Sequence, residues 1–295
     1  MVQQPSCIVG MEACGSSHYW SGIFTAMGHT VKLLPPAYVK GIVYGNKNDT
    51  NDAKAIALAA AQPESPTVCT KTPDQLAMQA ILRVRDRRIS QRTGCMNQLR
   101  GLLSEHGIVI PQGIRYIRRI EMEQIPDVMQ PLMRTLLDEF KALDELARHN
   151  NQSVQKLVKA HPIGQRLLAI PGFGPINTLA SLVINPCDYK NGRHYAAYLG
   201  LVPKQTGSGG QVRLQGLSKR GNNYHRKMMC HGARAFLCCS KNYADPLLIW
   251  AKRIQVKKGT NVAVGALANK LARISWRVMS GSVYCVTKAV SPVKD

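Results

Sequence analysis

The sequence predicts an α/β plus α fold, in which a small α/β domain precedes a helical hairpin and a mostly helical C-terminal region. Two short apolar segments, residues 6–12 and 30–34, flank a helical stretch at about 16–27, which is the order of a βαβ unit. Residues 75–106 then carry apolar side chains every seven positions, and further helical runs follow after 160. These observations predict three segments: 1–72, 73–160 and 161–295.

The helix after the βαβ unit begins at a group of capping residues. The run "NDTNDAKAIALAAA" (48–61) starts with Asn and Asp and continues in strong helix formers, which places Asp49 and Asp52 at a helix start. Glu12 ends the first strand. One carboxylate from a strand and two from a nearby helix can converge on Mg²⁺, although acids are also favoured at helix N-termini by the macrodipole. Residues 62–75 contain three prolines and are predicted to be a linker.

The second segment has the pattern of a heptad seam. The apolar residues that recur every seven positions are Leu82, Ile89, Met96 and Leu103. A second amphipathic run follows over 128–143, so an antiparallel helical hairpin is expected. The arginines around the seam, among them Arg83, Arg87 and Arg88, form either a solvated face or a nucleic-acid contact.

The third segment opens with a helix, a glycine turn and a second helix. In "LLAIPGFGPINTLASLV" (167–183), Gly172 and Gly174 flank the turn and Pro175 stands at a plausible first helical position. This pattern is typical of a helix-hairpin-helix, whose backbone N–H groups bind a DNA phosphate, but an ordinary helix-helix turn fits equally well. The later stretch "PKQTGSGGQ" (203–211) is predicted to be a flexible Gly/Ser loop.

The charge of the chain points to a polyanionic partner. The formal net charge is +22, and residues 161–295 hold 20 Lys and Arg against three Asp and Glu. A patch of this sign and size is typical of nucleic-acid binding. The apolar runs are too short to span a membrane and the N-terminus lacks the pattern of a signal peptide, so a soluble, cytoplasmic protein is expected.

One serine lies within the most basic stretch. "GQVRLQGLSKRGNNYHRKMMCHGARA" (210–235) contains no carboxylate, and Ser218 is followed directly by Lys219 and Arg220. A serine ahead of a helical run can cap the helix, and a serine among cations can be a nucleophile that attacks a phosphodiester. The local sequence leaves both roles open.

Several motifs, in order, resemble a known family. "MEACG", "KNDTNDAKAIA", "IPGFGP", "YLGLVPKQTGSGG", "LSKRGNNYHRKMMCHGARA" and "NKLARISWRV" are similar to the DEDD insertion-sequence transposases of the Piv/MooV type, which are bridge-RNA-guided recombinases. The resemblance implies a RuvC-like (RNase H-fold) domain with four carboxylates for Mg²⁺ and a C-terminal domain with a nucleophilic serine. Matched by position, Glu12, Asp49 and Asp52 are the last three acids and Ser218 is the nucleophile.

The resemblance also implies partners, and the need to neutralise a phosphate target indicates which cations would hold the DNA. Donor and target DNA and a structured guide RNA are expected as ligands, with a homodimer or homotetramer as the active assembly. Lys219, Arg220 and Arg226 would hold the DNA near Ser218 while the Mg²⁺ neutralises phosphate charge.

One departure from the family concerns its first Asp, which lies on an opening strand well before the Glu. Only eleven residues precede Glu12 here and none is Asp, so the first strands are expected to be missing, through an upstream start or a decayed gene. The alternative function is a catalytically defective nucleic-acid-binding remnant. A Holliday-junction endonuclease that uses water as the nucleophile would share the carboxylates but leave Ser218 unexplained.

Overall fold

The computed structural model describes residues 4–46, 48–240 and 245–284 of the 295-residue chain. The chain divides into two compact units, an N-terminal unit (Met1–Leu76) and a C-terminal unit (Ala77–Asp295). No helix within the described residues combines the length and the apolar composition needed to cross a bilayer.

The N-terminal unit is built on a parallel pair of strands. Its elements are β1 (Ile8–Glu12), α1 (Ser17–Ala26), β2 (Thr30–Leu34), α2 (Pro36–Lys40) and α3 (Asp49–Ala61). β1 and β2 pair in parallel, with Glu12 opposite Leu34, as the order of apolar segments predicts. α3 lies directly on β1, because a β-carbon at Gly10 would come within 2.6 Å of the Ala60 β-carbon. Leu34, Val39, Ala55 and Ala59 form the buried centre of this unit.

The segment predicted to be a linker is instead packed into the N-terminal unit. Val68 N donates to Leu33 O (2.7 Å) in an isolated antiparallel bridge beside β2. The hydroxyls of Ser21 and Thr70 are 2.6 Å apart, which ties the segment to α1 as well. The segment predicted to be a linker therefore leads to the boundary between the two units, but it is packed against the N-terminal unit, and its last residues already belong to α4 (Pro73–Ser104).

Two long helices form an antiparallel hairpin. They are α4 (Pro73–Ser104) and α6 (Gln130–Ala160), with the short α5 (Ile114–Ile117) in the connection. Arg85 Nε donates to Asn151 Oδ1 (2.7 Å), and further along α4 Cys95 Sγ donates to Leu136 O (3.3 Å). The pairing partners run backwards along α6, as an antiparallel arrangement requires.

The interface of the hairpin is apolar at its two ends and polar in the middle. Leu82, Met96 and Leu103 are buried as the heptad pattern predicts, whereas Ile89 is only half-buried. The polar middle is centred on buried Asp144, which accepts from Arg92 Nη1 (2.9 Å) and from Arg118. Burial alone would raise the pKa of Asp144, but hydrogen bonds from Arg118 and Arg92 outweigh it and hold the pKa below its usual range.

The base of the hairpin packs with the helices that follow it. Leu82 of α4 and Val154 and Val158 of α6 share one buried cluster with Leu179 and Val183. The packing therefore does not divide at 160, where the sequence placed a boundary, because these apolar side chains cover one another.

The rest of the C-terminal unit packs around one long helix, Thr260–Met279. The elements are α7 (Pro162–Leu168), α8 (Pro175–Leu182), α9 (Gly192–Tyr198), β3 (Pro203–Ser208), β4 (Gln211–Leu217), α10 (Asn223–Cys239), α11 (Pro246–Lys258) and α12 (Thr260–Met279). Leu267 and Leu271 of α12 are fully buried in the main core together with Tyr195, Leu199 and Met229.

The stretch predicted to be a flexible Gly/Ser loop forms a β-hairpin. β3 and β4 pair antiparallel, from Pro203 opposite Leu217 to Ser208 opposite Gln211. Gly209 and Gly210 both have positive φ (57° and 81°), the conformation that a tight two-residue hairpin turn requires. The loop prediction was wrong because the turn glycines were taken as a sign of flexibility.

Candidate functional site

Ser218 lies in the turn that joins the β-hairpin to α10. Its backbone N–H donates to Val202 O (2.8 Å), which fixes the turn to the chain just before β3. The side chain is half-buried, and among the described residues no group is hydrogen-bonded to its hydroxyl. The next residue, Lys219, has φ 55°. In the described part of the chain it is the single non-glycine residue with a positive φ. Strain of this kind is often found at functional sites.

The structure removes one of the two roles that the sequence left open for Ser218. α10 begins at Asn223, and its N-cap is Asn222, whose Oδ1 accepts from His225 N (3.0 Å). Ser218 therefore does not cap the helix, and its hydroxyl is available for other chemistry.

The turn that carries Ser218 is held by close backbone packing. Gly221 has φ 85°, and a β-carbon there would collide with Tyr198 O. Gly200 has φ 68°, and a β-carbon there would collide with Arg220 O. Glycine is needed at both positions, so the backbone around Ser218 has a defined conformation.

Arg226 supports this turn rather than facing solvent. Its side chain is buried, and Nη1 donates to Leu199 O and Arg220 O, each at 3.2 Å. Nη2 donates to Asn223 Oδ1 (2.8 Å). The prediction that Arg226 binds nucleic acid therefore has to be corrected, because its guanidinium is engaged by the protein backbone. Lys219 and Arg220 are exposed, as a contact with DNA requires.

The β-hairpin before Ser218 is exposed along almost its whole length. Val212 and Leu214 of β4 are 66% and 65% exposed, and Arg213 between them points to the opposite face. Sequence reasoning missed this element, although Gly-Gly ahead of the alternating "VRLQ" is a hairpin signal. A solvated β-ribbon that leads directly into the Ser218 turn is well placed to contact a polyanion.

The glycine turn before α8 packs against α10. A β-carbon at Gly172 (φ 78°) would come within 2.6 Å of Gly232 O, so Gly172 serves close helix packing. Gly174, the N-cap residue of α8, is exposed, and a β-carbon there would meet nothing within 4 Å. Of the two predicted phosphate-binding glycines, only Gly174 faces solvent. Pro175 is the first helical residue, as predicted.

His225 connects α10 to α8 inside the core. Ser181 Oγ donates to Asn177 O (3.0 Å), so His225 Nε2, at 3.2 Å, donates to Ser181 Oγ. Among the described residues, His225 Nδ1 has no hydrogen-bond partner. Burial lowers the pKa of His225 to about 3, and the ring is therefore neutral at physiological pH.

We expect stability to fall as the pH drops below the ordinary pKa of histidine. In the unfolded chain His225 regains a pKa near 6.5, so between about 6.5 and 3 the unfolded state binds a proton that the folded state does not. The free energy of unfolding should then decrease by about 2 kcal/mol between pH 7 and pH 5. Urea denaturation at both pH values measures this, and His225→Gln should remove most of the difference. An unchanged pH dependence in the variant would assign it to other groups.

Two of the predicted carboxylates line one cavity in the N-terminal unit. Glu12 ends β1 and Asp52 lies in the first turn of α3, and both line a cleft of about 490 Å³ together with Lys40. Asp49 also lies in the first turn of α3 but is not on the cavity wall. Asn48 caps the helix by accepting from Asn51 N (2.8 Å). Within the described ranges, no three His, Cys, Asp or Glu side chains are grouped to hold a metal, so the three-acid site stays a prediction.

The arginines predicted on the hairpin differ in exposure. Arg83 and Arg87 are exposed on one side of α4. Arg88 is half-buried and donates from Nη1 to Asn150 Oδ1 (2.8 Å), so it contributes to the polar middle of the hairpin. Arg88 was predicted to lie on a solvated or nucleic-acid-binding face. This needs correction, because Asn150 of α6 binds its guanidinium.

Two models of known protein families match parts of this chain. Residues 164–246 match the family model described as "Transposase IS116/IS110/IS902 family", and residues 2–108 match a transposase model of the IS110 DEDD type. Both regions are therefore similar in sequence to transposases.

Several curated transposases are similar to this chain over nearly its whole length. The chain is 39% identical to a "Probable family 20 transposase" of Pseudomonas aeruginosa, over 94% of this chain and 85% of the relative. It is 37% identical to the transposase for insertion sequence element IS1111A of Coxiella burnetii, over 93% and 78% respectively. It is 36% identical to the transposase for IS1328 of Yersinia enterocolitica, over 95% and 86%. The chain belongs to the IS116/IS110/IS902 transposase family.

Proposed function

We propose that this chain is a recombinase that cuts and rejoins DNA through a covalent bond between Ser218 and a DNA phosphate. The observation that carries the proposal is the Ser218 turn. Its hydroxyl is neither a helix cap nor part of an internal hydrogen bond among the described residues, and two exposed cations follow it. A nucleophile that faces a phosphodiester needs this combination of availability and positive charge.

The reaction would take place in two phosphoryl-transfer steps. Ser218 Oγ loses its proton and forms an O–P bond, while the bond from phosphorus to one strand oxygen breaks and that oxygen takes up a proton. In the second step, the hydroxyl of another strand attacks the phosphoserine, re-forms a phosphodiester and returns Ser218 to its starting state. Lys219 and Arg220 would hold the flanking phosphates and stabilise the charge that develops.

The carboxylates of the N-terminal unit would hold Mg²⁺. Glu12 and Asp52 line the same cavity and would provide its oxygen ligands, and a site of two carboxylates completed by water is one that Mg²⁺ commonly uses. Bound Mg²⁺ would supply Lewis-acid stabilisation of the phosphate oxygens. Asp49 is the third predicted ligand, but it does not line this cavity.

A guide RNA and an oligomer are also part of the proposal. The family resemblance supports an element-encoded guide RNA, and exposed Arg83 and Arg87 on α4 are available to bind it. Two DNA molecules that are cut and exchanged require at least two serines, which favours a dimer or tetramer. A non-catalytic nucleic-acid-binding remnant is the second candidate, because no cluster of three metal-binding side chains lies within the described residues.

The Ser218→Ala variant tests the proposal. The full chain, Mg²⁺, the element's RNA and duplex DNA with the element's ends should give a covalent protein–DNA adduct on a denaturing gel. Ser218→Ala should give none, while its affinity for the same DNA changes by less than about threefold, because one hydroxyl contributes little to a phosphate interface. Ser90→Ala, an exposed serine on α4, is the control and should form the adduct normally.

The outcomes separate the two candidates. An adduct that persists in Ser218→Ala would show that another residue is the nucleophile. If the wild-type chain binds DNA but forms no adduct under any of these conditions, the recombinase proposal fails and the remnant is favoured.

A further inference from the structure

A basic cleft lies on the C-terminal unit, away from the residues assigned above. It has a volume of about 530 Å³ and is formed by the start of α9 and the C-terminal half of α12. Four cationic side chains line it, Arg193, Lys270, Arg273 and Arg277, and no acidic side chain does. A concave surface of one charge concentrates its electrostatic field and attracts ligands of the opposite charge.

The cations of this cleft form no ion pair with any of the residues that the structure describes. The ion pairs found in the described part of the chain involve other residues, and Arg193, Arg273 and Arg277 are exposed. Lys270 is held in place, because its Nζ lies 4.2 Å from the centroid of the Trp250 ring. Within the part of the chain that the structure describes, three guanidinium groups of the cleft have no ion-pair partner and can bind an anion.

The backbone places these side chains together on rigid elements. Lys270, Arg273 and Arg277 are spaced at i, i+3 and i+7 on α12, so they share one face of the helix. Gly192 at the start of α9 lies against the same helix, since a β-carbon there would come within 3.1 Å of Arg273 O. Arg193, the next residue, lines the cleft from α9.

The same helix also supports the Ser218 turn. A β-carbon at Gly265 would meet Leu217 Cδ1 at 3.4 Å, and Asn269 Nδ2 donates to Leu201 O (3.0 Å). From Asn269 the helix advances about 6 to 12 Å to Arg273 and Arg277.

We propose that this cleft binds backbone phosphates of a nucleic-acid strand, on the same helix, α12, that supports the Ser218 turn. The assignment of the strand as a substrate or guide rests on the proposed function. Arginine suits this role because its planar guanidinium binds phosphate oxygens in pairs, and three arginines in one cleft can hold consecutive phosphates. The site is separate from Lys219 and Arg220 and gives the strand a second anchoring point on α12.

The test compares two double variants of equal charge. Arg273→Gln/Arg277→Gln removes two cations of the cleft, and Arg253→Gln/Lys257→Gln removes two exposed cations of α11 that do not line it. Binding of the full chain to a 30-base-pair DNA duplex and, separately, to an RNA hairpin is measured by fluorescence anisotropy between 50 and 200 mM salt, without Mg²⁺. All side chains changed are exposed, and equal thermal melting curves will show that the fold is kept.

The cleft variant should reduce the slope of log Kd against log salt concentration by about 2, because two phosphate contacts are lost. The α11 variant should change the slope by much less. A reduction with only one of the two nucleic acids identifies the strand that occupies the cleft. Equal reductions in both variants, or none in the cleft variant, would overturn the proposal. Because no Mg²⁺ or adduct is involved, a failure of Ser218 as nucleophile does not affect this result.

Discussion

Replacing Asp144 with Ala is expected to lower the free energy of unfolding by about 3–5 kcal/mol, the usual cost of removing one partner from a buried ion pair. Asp144 is the acid that Arg92 and Arg118 share in the polar middle of the hairpin. Without it, the largely buried guanidinium of Arg92 stays out of water with no charge to compensate it. The polar contacts between α4 and α6 would lose their centre.

An ion pair on the same helix provides the control. Asp138 pairs with Lys141 at 2.9 Å, but both side chains are more than 70% exposed. Asp138→Ala should therefore cost less than about 1 kcal/mol. Urea denaturation at pH 7 measures both variants. A loss for Asp144→Ala no larger than that for Asp138→Ala would show that the buried network contributes nothing to stability.

The sequence predicted those parts of the fold that depend on local signals. The two strands of the βαβ unit follow from short apolar segments, and the start of α3 follows from Asn48 and the helix formers after it. Leu82 and Met96 were predicted to be buried for the same reason, since apolar spacing along one helix is visible without its partner.

The errors concern residues whose partners are distant in sequence. Ile89 fits the heptad pattern, but it lies in the polar middle of the hairpin and is only half-buried. That polar middle is centred on Asp144, which lies 52 positions from the Arg92 it binds and so could not be read from the heptad. Arg226 and Arg220 look alike as charges in a basic stretch, but the carbonyl of Leu199 engages Arg226. Charge counting cannot distinguish a buried guanidinium from an exposed one, because the difference is made by tertiary packing.

The candidate site shows the same division. Ser218 and Glu12 were proposed as candidates from residue type and order, and the resemblance to a family implied their roles. What the sequence could not give is which acids share a surface. Glu12 and Asp52 line the same cavity and Asp49 does not, although Asp49 and Asp52 are three residues apart.

Glu12→Gln and Asp52→Asn are each expected to reduce the rate of Mg²⁺-dependent adduct formation by about 10³-fold. Each change removes the charge of a proposed metal ligand, and metal-ion stabilisation of phosphate charge is worth several kcal/mol, where each 1.4 kcal/mol is about tenfold in rate. The rate of covalent adduct formation at Ser218 is measured over a range of Mg²⁺ concentrations, since a weakened metal site should also raise the concentration needed for half-maximal rate.

Asp49→Asn distinguishes the cavity from the three-acid site that the resemblance implies. If the cavity wall defines the metal site, this variant should lose less than about tenfold, which is 1.4 kcal/mol of transition-state stabilisation. Glu64→Gln, an exposed acid of the same unit, should have no effect. A loss for Asp49→Asn equal to that for Asp52→Asn would show that all three carboxylates bind Mg²⁺. Full activity in Glu12→Gln and Asp52→Asn would contradict the proposed metal site altogether, because neither charge would then be needed to neutralise the phosphate.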